Sequence, residues 1–222
     1  MIDLSLVIDA QYEISDFKGK DLTKLSELEL FQFCKANRKY REPGIHPDEL
    51  RCMHEAVSPF NGKSCTIVET GMCFGVSTRY FAIRNLKYGG KHINYELFLR
   101  ESFKEDMVDI GLWDSITKKG HSIKDSYEGG DIDILLIDSE HAMSDALGEY
   151  MRFRPWLKGE AIIGFHDTDC CPGVRRAIEV ILTMDDLILI SESTNIMGAG
   201  MQWYRNNGVG QAQHRLNLVS RQ

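Results

Sequence analysis

From Cys65 onward, short apolar runs of strand length alternate with stretches whose apolar residues recur at helical spacing. Repeated strand–helix alternation leaves few options. Each crossover helix returns the chain to start a parallel neighbour, and the resulting sheet is covered on both faces. Residues 65–69, 91–95, 132–137 and 161–165 read as strands, with 115–118 as a weaker one. Residues 76–86, 97–110, 143–153 and 174–182 read as helices between them. The run 132–137 (Ile-Asp-Ile-Leu-Leu-Ile) is the strongest strand and reads as apolar on both faces, which a central parallel strand requires. Residues 187–190 and 201–204 are strands with no helix between them, which predicts an antiparallel pair at one edge.

Ahead of this unit, apolar residues at 22, 25, 28, 31 and 34 form a helical stripe over 22–40, with Asp21 as its N-cap. Pro43-Gly44 and Pro47 then break the chain, and 48–57 reads as a second helix. At 222 residues, one hydrophobic core is enough. The expected organisation is an N-terminal helical extension (1–46), a main domain (47–206) and a C-terminal tail (207–222).

Net charge narrows the partners. At −7, the chain lacks the long basic face of a duplex-binding protein, so no nucleic-acid partner is expected. The tail is locally basic (Arg205, His214, Arg215, Arg221) and reads as solvated rather than as a binding arm. No apolar run approaches the roughly 20 residues of a membrane span. Met1-Ile2-Asp3-Leu4 has no positive stretch ahead of its apolar residues, so no membrane partner and a cytoplasmic location are expected. The six cysteines (34, 52, 65, 73, 170 and 171) include no C-x-x-C pair and read as reduced thiols.

In a doubly wound sheet, ligands bind beyond the carboxyl ends of the strands. After the first strand comes Glu69-Thr70-Gly71-Met72-Cys73-Phe74-Gly75-Val76-Ser77-Thr78. Here Gly71 and Gly75 let backbone approach a ligand, and the following helix offers free N–H groups. The G-x-x-x-G spacing differs from the G-x-G-x-x-G of dinucleotide binders. Glu96 follows the second strand, where a carboxylate can accept the hydroxyl protons of a ribose. Asp138-Ser139-Glu140-His141 and Phe165-His166-Asp167-Thr168 follow two strands expected to be neighbours. Two carboxylates and an imidazole converging there suit a divalent cation, with His141 as a general base. Two other readings stay open. A nicotinamide-dependent oxidoreductase is opposed by the glycine spacing. A catalytically silent nucleoside-binding protein would keep Gly71, Gly75 and Glu96 without needing His141 or Asp167.

The motifs Glu69-Thr70-Gly71-x-x-x-Gly75-x-Ser77-Thr78, Glu96, Gly120-His121-Ser122, Ile137-Asp138-Ser139-Glu140-His141 and Phe165-His166-Asp167-Thr168 resemble those of class I S-adenosylmethionine-dependent methyltransferases. Within that class the chain is similar to the small-molecule O-methyltransferases of the macrolide-sugar and cephalosporin-hydroxylase-like groups, roughly from Pro47 to Tyr204. The resemblance implies a Rossmann-like, seven-stranded, mostly parallel α/β sheet with an antiparallel edge hairpin and N-terminal helices. It implies S-adenosylmethionine as cofactor, with Gly71, Gly75 and Ser77 around its methionine part and Glu69 and Thr70 in the same segment. Glu96 would hold the ribose, and Ser122, with His121 beside it, would meet the adenine. Asp138 would border the cofactor, share a divalent metal (Mg or Mn) with Asp167 and His166, and act in catalysis with His141. Relatives often have an acid at the place of His121, and a carboxylate or amide at that of His166. Imidazole suits manganese, iron or zinc better than magnesium. The implied reaction is methylation of a sugar or phenolic hydroxyl on a small-molecule acceptor, and the resemblance is compatible with a homodimer while leaving the oligomeric state open.

Overall fold

The computed structural model describes Val7 and residues 12–36, 44–193 and 199–208. Seven strands form one sheet: β1 (Cys65–Thr70), β2 (Gly90–Tyr95), β3 (Thr117–Lys119), β4 (Ile132–Ile137), β5 (Leu157–His166), β6 (Asp186–Ser193) and β7 (Met201–Gly208). Their spatial order is β3-β2-β1-β4-β5-β7-β6. The pairs β1–β2, β1–β4, β2–β3 and β4–β5 are parallel, whereas β7 runs antiparallel to both β5 and β6. The central place of 132–137 and the edge hairpin therefore match the sequence reading. The order also reverses between β1 and β4, which is where a ligand crevice opens in such sheets.

Alternation along the central strands builds a core on each face. Ile134 and Leu136 of β4 and Ile67 of β1 pack with the N-terminal helices on one face. Leu135, Ile137 and Val68 pack on the other against helices from the second half of the chain. Asp133, the one acid in β4, accepts a hydrogen bond from the Thr66 N–H (2.8 Å) and pairs with Lys158 (2.8 Å). That pairing is what lets a carboxylate start a buried strand.

Among the described residues, the complete α-helices are α1 (Glu27–Lys35), α2 (Pro47–Val57), α3 (Val76–Tyr88), α4 (Glu101–Asp109), α5 (Met143–Phe153) and α6 (Pro172–Met184). The continuous helix expected over 22–40 is two elements. Asp21 caps only a 3₁₀ turn, Leu22–Lys24, and the chain extends at Leu25. Ser26 and Glu29 then form a reciprocal capping box that starts α1. The apolar stripe still holds, because Leu22, Phe31 and Cys34 are buried with Leu25 and Leu28 packed against the same core. Residues 37–40 lie outside the described residues, as do 209–222 of the tail. Helix α4 begins four residues later than expected. Glu96 accepts a hydrogen bond from the Phe98 N–H (2.8 Å), and Arg100 is still extended.

At the junction of parallel and antiparallel pairing, Gly164 of β5 lies opposite Trp203 of β7. A Cβ at Gly164 would fall 2.6 Å from the indole of the fully buried Trp203. Gly164→Ala should therefore destabilise the protein by about 1–3 kcal/mol through overpacking. A denaturant midpoint unchanged from wild type would show that this junction is loosely packed.

Candidate active site

The loop between β1 and α3 is shaped by two left-handed glycines. Gly71 has φ +82°, and a Cβ there would lie 1.9 Å from the Asp138 carbonyl oxygen. Its N–H donates to Tyr95 O (2.8 Å), while the Asp138 N–H donates to Thr70 O (3.0 Å), so the ends of β2, β1 and β4 are tied together. Gly75 has φ +76°, and the Phe103 ring fills the space a side chain would need. No side chain caps α3 at Gly75, which leaves its first-turn N–H groups available to a ligand.

Two cavities flank this loop. The first, of about 390 Å³, is lined by Gly71, Glu96, Phe98, Gly120, His121 and Ser122, among others. Glu96 holds the loop by accepting from the N–H groups of Met72 (2.8 Å) and Cys73 (3.2 Å). Asp125 orders the far wall by accepting from the N–H groups of Gly120 and His121. Glu149 of α5 closes the cavity and is buried. It accepts from Thr70 Oγ1 (2.8 Å) and Ser139 Oγ (2.5 Å), with Ser122 as a third hydrogen-bond partner. The sequence reading did not single it out. The signal was an acid on the helix face otherwise formed by Ala146, Tyr150 and Phe153, all buried.

The second cavity, of about 480 Å³, is lined by Glu49, Gly75, Ser77, His141, His166 and Asp167, among others. Cys73, Asp138 and Ser139 line both cavities. The predicted residues Glu69 and Thr70 line neither. Glu69 is buried among Thr78, His92 and Asn94, at 3.0, 2.9 and 2.6 Å, while Thr70 joins Glu149 to the Asp138 N–H. They support the loop from beneath.

Neighbouring ends of β4 and β5 bring the acids and imidazoles together. His166 Nδ1 lies 2.9 Å from Asp138 Oδ1 and 3.3 Å from Asp167 Oδ2, and its Nε2 lies 3.2 Å from Glu49 Oε2. His141 Nε2 lies 2.7 Å from the same Asp167 oxygen, although the His141 side chain is 54 % exposed. Asp167 is a non-glycine residue at φ +60°, a conformation uncommon enough to mark a constrained site. Glu49 was not anticipated. It is the third residue of α2, in a capping box with His46, and its other oxygen accepts from the Gly200 N–H (2.7 Å).

Burial opposes charge on His166, but Asp138, Asp167 and Glu49 outweigh it and hold its pKa well above the usual imidazole range. For Asp167 and Glu49, burial is outweighed by His166, and both carboxyls are lowered. Asp138 is raised, because burial, with Asp167 and Glu69 nearby, prevails over His166. Three carboxylates around one imidazole stay net negative even with His166 protonated. Donor atoms of Asp138, His166 and Asp167 lie within 4.8 Å of one another. That charge and the mixed oxygen–nitrogen donor set fit a divalent cation.

Residues 68–168 match the methyltransferase-domain family. No curated protein matches the chain. Among solved structures, it is similar to the O-methyltransferase TomG of Streptomyces achromogenes in complex with S-adenosylmethionine (15 % identity, 72 % of this chain and 81 % of that one, TM-score 0.56). It is similar to the Bacillus cereus O-methyltransferase in complex with S-adenosylhomocysteine (16 % identity, 87 % and 94 %, TM-score 0.56). It is also similar to MycE of the mycinamycin biosynthetic pathway, in complex with Mg, S-adenosylhomocysteine and mycinamycin VI (10 % identity, 86 % and 55 %, TM-score 0.56). Residues 68–168 thus match a methyltransferase domain, on a fold shared with O-methyltransferases that bind S-adenosylmethionine or S-adenosylhomocysteine.

Glu149 offers a test of the cavity's electrostatics. Burial raises its pKa in spite of the hydroxyls of Ser122, Ser139 and Thr70. A carboxyl raised on folding is neutral in both states at low pH, and its ionisation costs stability as pH rises through the folded value. Glu149→Gln removes that cost. The melting temperature of the variant relative to wild type should therefore move in the variant's favour between about pH 4 and about pH 7. A difference that stays constant across this range would mean Glu149 is not raised.

Proposed function

We propose that the chain is an S-adenosylmethionine-dependent methyltransferase that acts on a hydroxyl of a small molecule, such as a sugar or phenol, with help from a divalent cation. The observation that carries this reading is the wall formed by Cys73, Asp138 and Ser139, which borders both cavities. On one side lies a nucleoside-sized space with Glu96 and Ser122, and on the other a space ending in the acid–imidazole cluster. The adenosine part of the cofactor belongs in the first, with its ribose on Glu96. The methionine part extends past Gly71 toward Gly75 and Ser77. The acceptor enters the second cavity, between His141 and the N-terminal segment at His46 and Glu49.

S-adenosylmethionine supplies a methyl group on a sulfonium, and the acceptor oxygen must approach in line with the bond that breaks. A neutral hydroxyl is a weak nucleophile and must lose its proton as the new bond forms. Asp167 holds His141 Nε2 as a donor, which leaves Nδ1 as the basic nitrogen that takes that proton. Asp138, Asp167 and His166 would hold the cation, whose charge would make the acceptor hydroxyl more acidic. Glu49 orients His166 from the opposite side. The TomG structure with S-adenosylmethionine and the MycE structure with Mg, S-adenosylhomocysteine and mycinamycin VI support this reading in type.

Glu96→Ala should weaken S-adenosylmethionine binding by about 10- to 150-fold, the equivalent of about 1.5–3 kcal/mol of charge-assisted hydrogen bonding. Titration calorimetry reads this directly, and unchanged affinity would remove Glu96 from the site. His141→Ala should lower kcat by about 10²–10⁴-fold while leaving cofactor affinity intact. Chelation should stop turnover but not cofactor binding, with Mg²⁺ or Mn²⁺ restoring it. Full turnover in excess chelator would contradict the metal and leave His141 as a base acting alone. Cofactor binding without turnover on any hydroxylated acceptor would instead favour a silent nucleoside-binding protein.

A further inference from the structure

The cysteine pair beside this site is not used by that chemistry. Cys170 and Cys171 lie between the end of β5 and the start of α6, and their sulfurs are 3.2 Å apart. Cys170 Sγ is also 3.3 Å from Asp167 Oδ1, while Asp167 Oδ2 is 2.7 Å from His141 Nε2. Donor atoms of His141, Asp167 and Cys171 all fall within 4.8 Å of one another. Donors on one tetrahedral zinc ion sit roughly 3.3–3.8 Å apart, given bonds of about 2.0–2.3 Å. His141, Asp167 and Cys171 are therefore within reach of a single ion, and Cys170 Sγ adjoins two of them, Cys171 and Asp167.

The backbone explains why they meet. The left-handed turn at Asp167 starts a tight loop, closed by a hydrogen bond from the Cys171 N–H to Asp167 O (3.0 Å). Gly173, in the first turn of α6, lies against the segment at His141, and a Cβ there would fall 2.3 Å from His141 O. Only a glycine lets the cysteine loop and the His141 loop approach so closely. His141 and Cys170 are exposed and Cys171 is partly so, which leaves an ion a path from solvent.

We propose that His141, Asp167, Cys170 and Cys171 form a second metal site, for a thiophilic cation of the zinc class. Sulfur donors separate it in kind from the carboxylate-rich set at Asp138, His166 and Asp167, since thiolates select zinc and cadmium whereas carboxylates suit magnesium and manganese. The two sets share Asp167 and compete for it. An ion on the cysteines also ties up the His141 imidazole, so occupancy of this site and deprotonation of an acceptor exclude each other. Binding at the cysteines does not depend on the chain being a methyltransferase of any particular acceptor.

Cadmium tests this without turnover, because cadmium–thiolate bonds absorb in the ultraviolet and magnesium gives no such band. Titration of the reduced, metal-free protein should reach the band's plateau at one equivalent of Cd²⁺, and excess Mg²⁺ should not abolish it. Cys170→Ser/Cys171→Ser should remove the band, and His141→Ala should weaken Cd²⁺ at least tenfold. Cys73→Ser, which changes a cavity thiol outside the cluster, should retain both band and affinity. Circular dichroism of each variant checks that the fold persists, and Zn²⁺ should displace Cd²⁺ in competition. A band that survives the double substitution would place the ion on other thiols and overturn the proposal. So would the absence of a stoichiometric band in the wild-type protein, or His141→Ala binding Cd²⁺ as tightly as wild type.

Discussion

The contact between Gly71 and the Asp138 carbonyl determines how the rest of the site is arranged. β1 and β4 are adjacent at the point where strand order reverses, and their exits must diverge to open a crevice. Here they diverge only after touching, with no room for a Cβ between them. That closeness puts Asp138 on the wall between the two cavities. It also holds Met72 and Cys73 where Glu96 can receive their N–H groups from β2. A bulkier residue at position 71 would push the two loops apart, so the glycine loop and the acid cluster would lose their common wall.

Beyond that contact, the cost of burying acids organises the second cavity. Isolated buried carboxylates are expensive, and several near one another repel as well. The structure offsets this by placing His166 among Asp138, Asp167 and Glu49 so that both ring nitrogens meet carboxylate oxygens. Glu49 does more than balance charge. One carboxylate completes the capping box of α2, receives the Gly200 N–H ahead of β7, and reaches His166 at the end of β5. Helix α2 is consequently joined to the carboxyl end of β5 by a polar group as well as by shared core.

Much of this was legible in the sequence because strand periodicity and strand-end chemistry are local signals. The apolar run at 132–137, the glycine loop and the acids after β4 and β5 could each be read within a few residues. The split before α1 was also written locally, since Ser26 and Glu29 form a visible capping box, but the continuous stripe from Leu22 masked it. Glu49 and Glu149 were not legible in the same way. The bonds that tie them into the site reach far along the chain, at 117 and 151 residues for Glu49 and 79 for the Thr70–Glu149 bond. Locally, Glu49 reads as a helix-capping acid and Glu149 as an acid on an apolar helix face. Glu69 shows the converse, a motif residue whose partners Thr78, His92 and Asn94 turn it into the support of the loop.

A crystal structure with S-adenosylhomocysteine tests most directly whether the two cavities form one cofactor path. Adenine is expected beside Ser122, ribose hydroxyls on the Glu96 carboxylate, and the homocysteine end beyond Gly71 near Ser77, with the sulfur facing the His141 side. Density for the nucleoside in the cavity beside His166, or a ligand lying wholly on one side of Asp138, would contradict the arrangement.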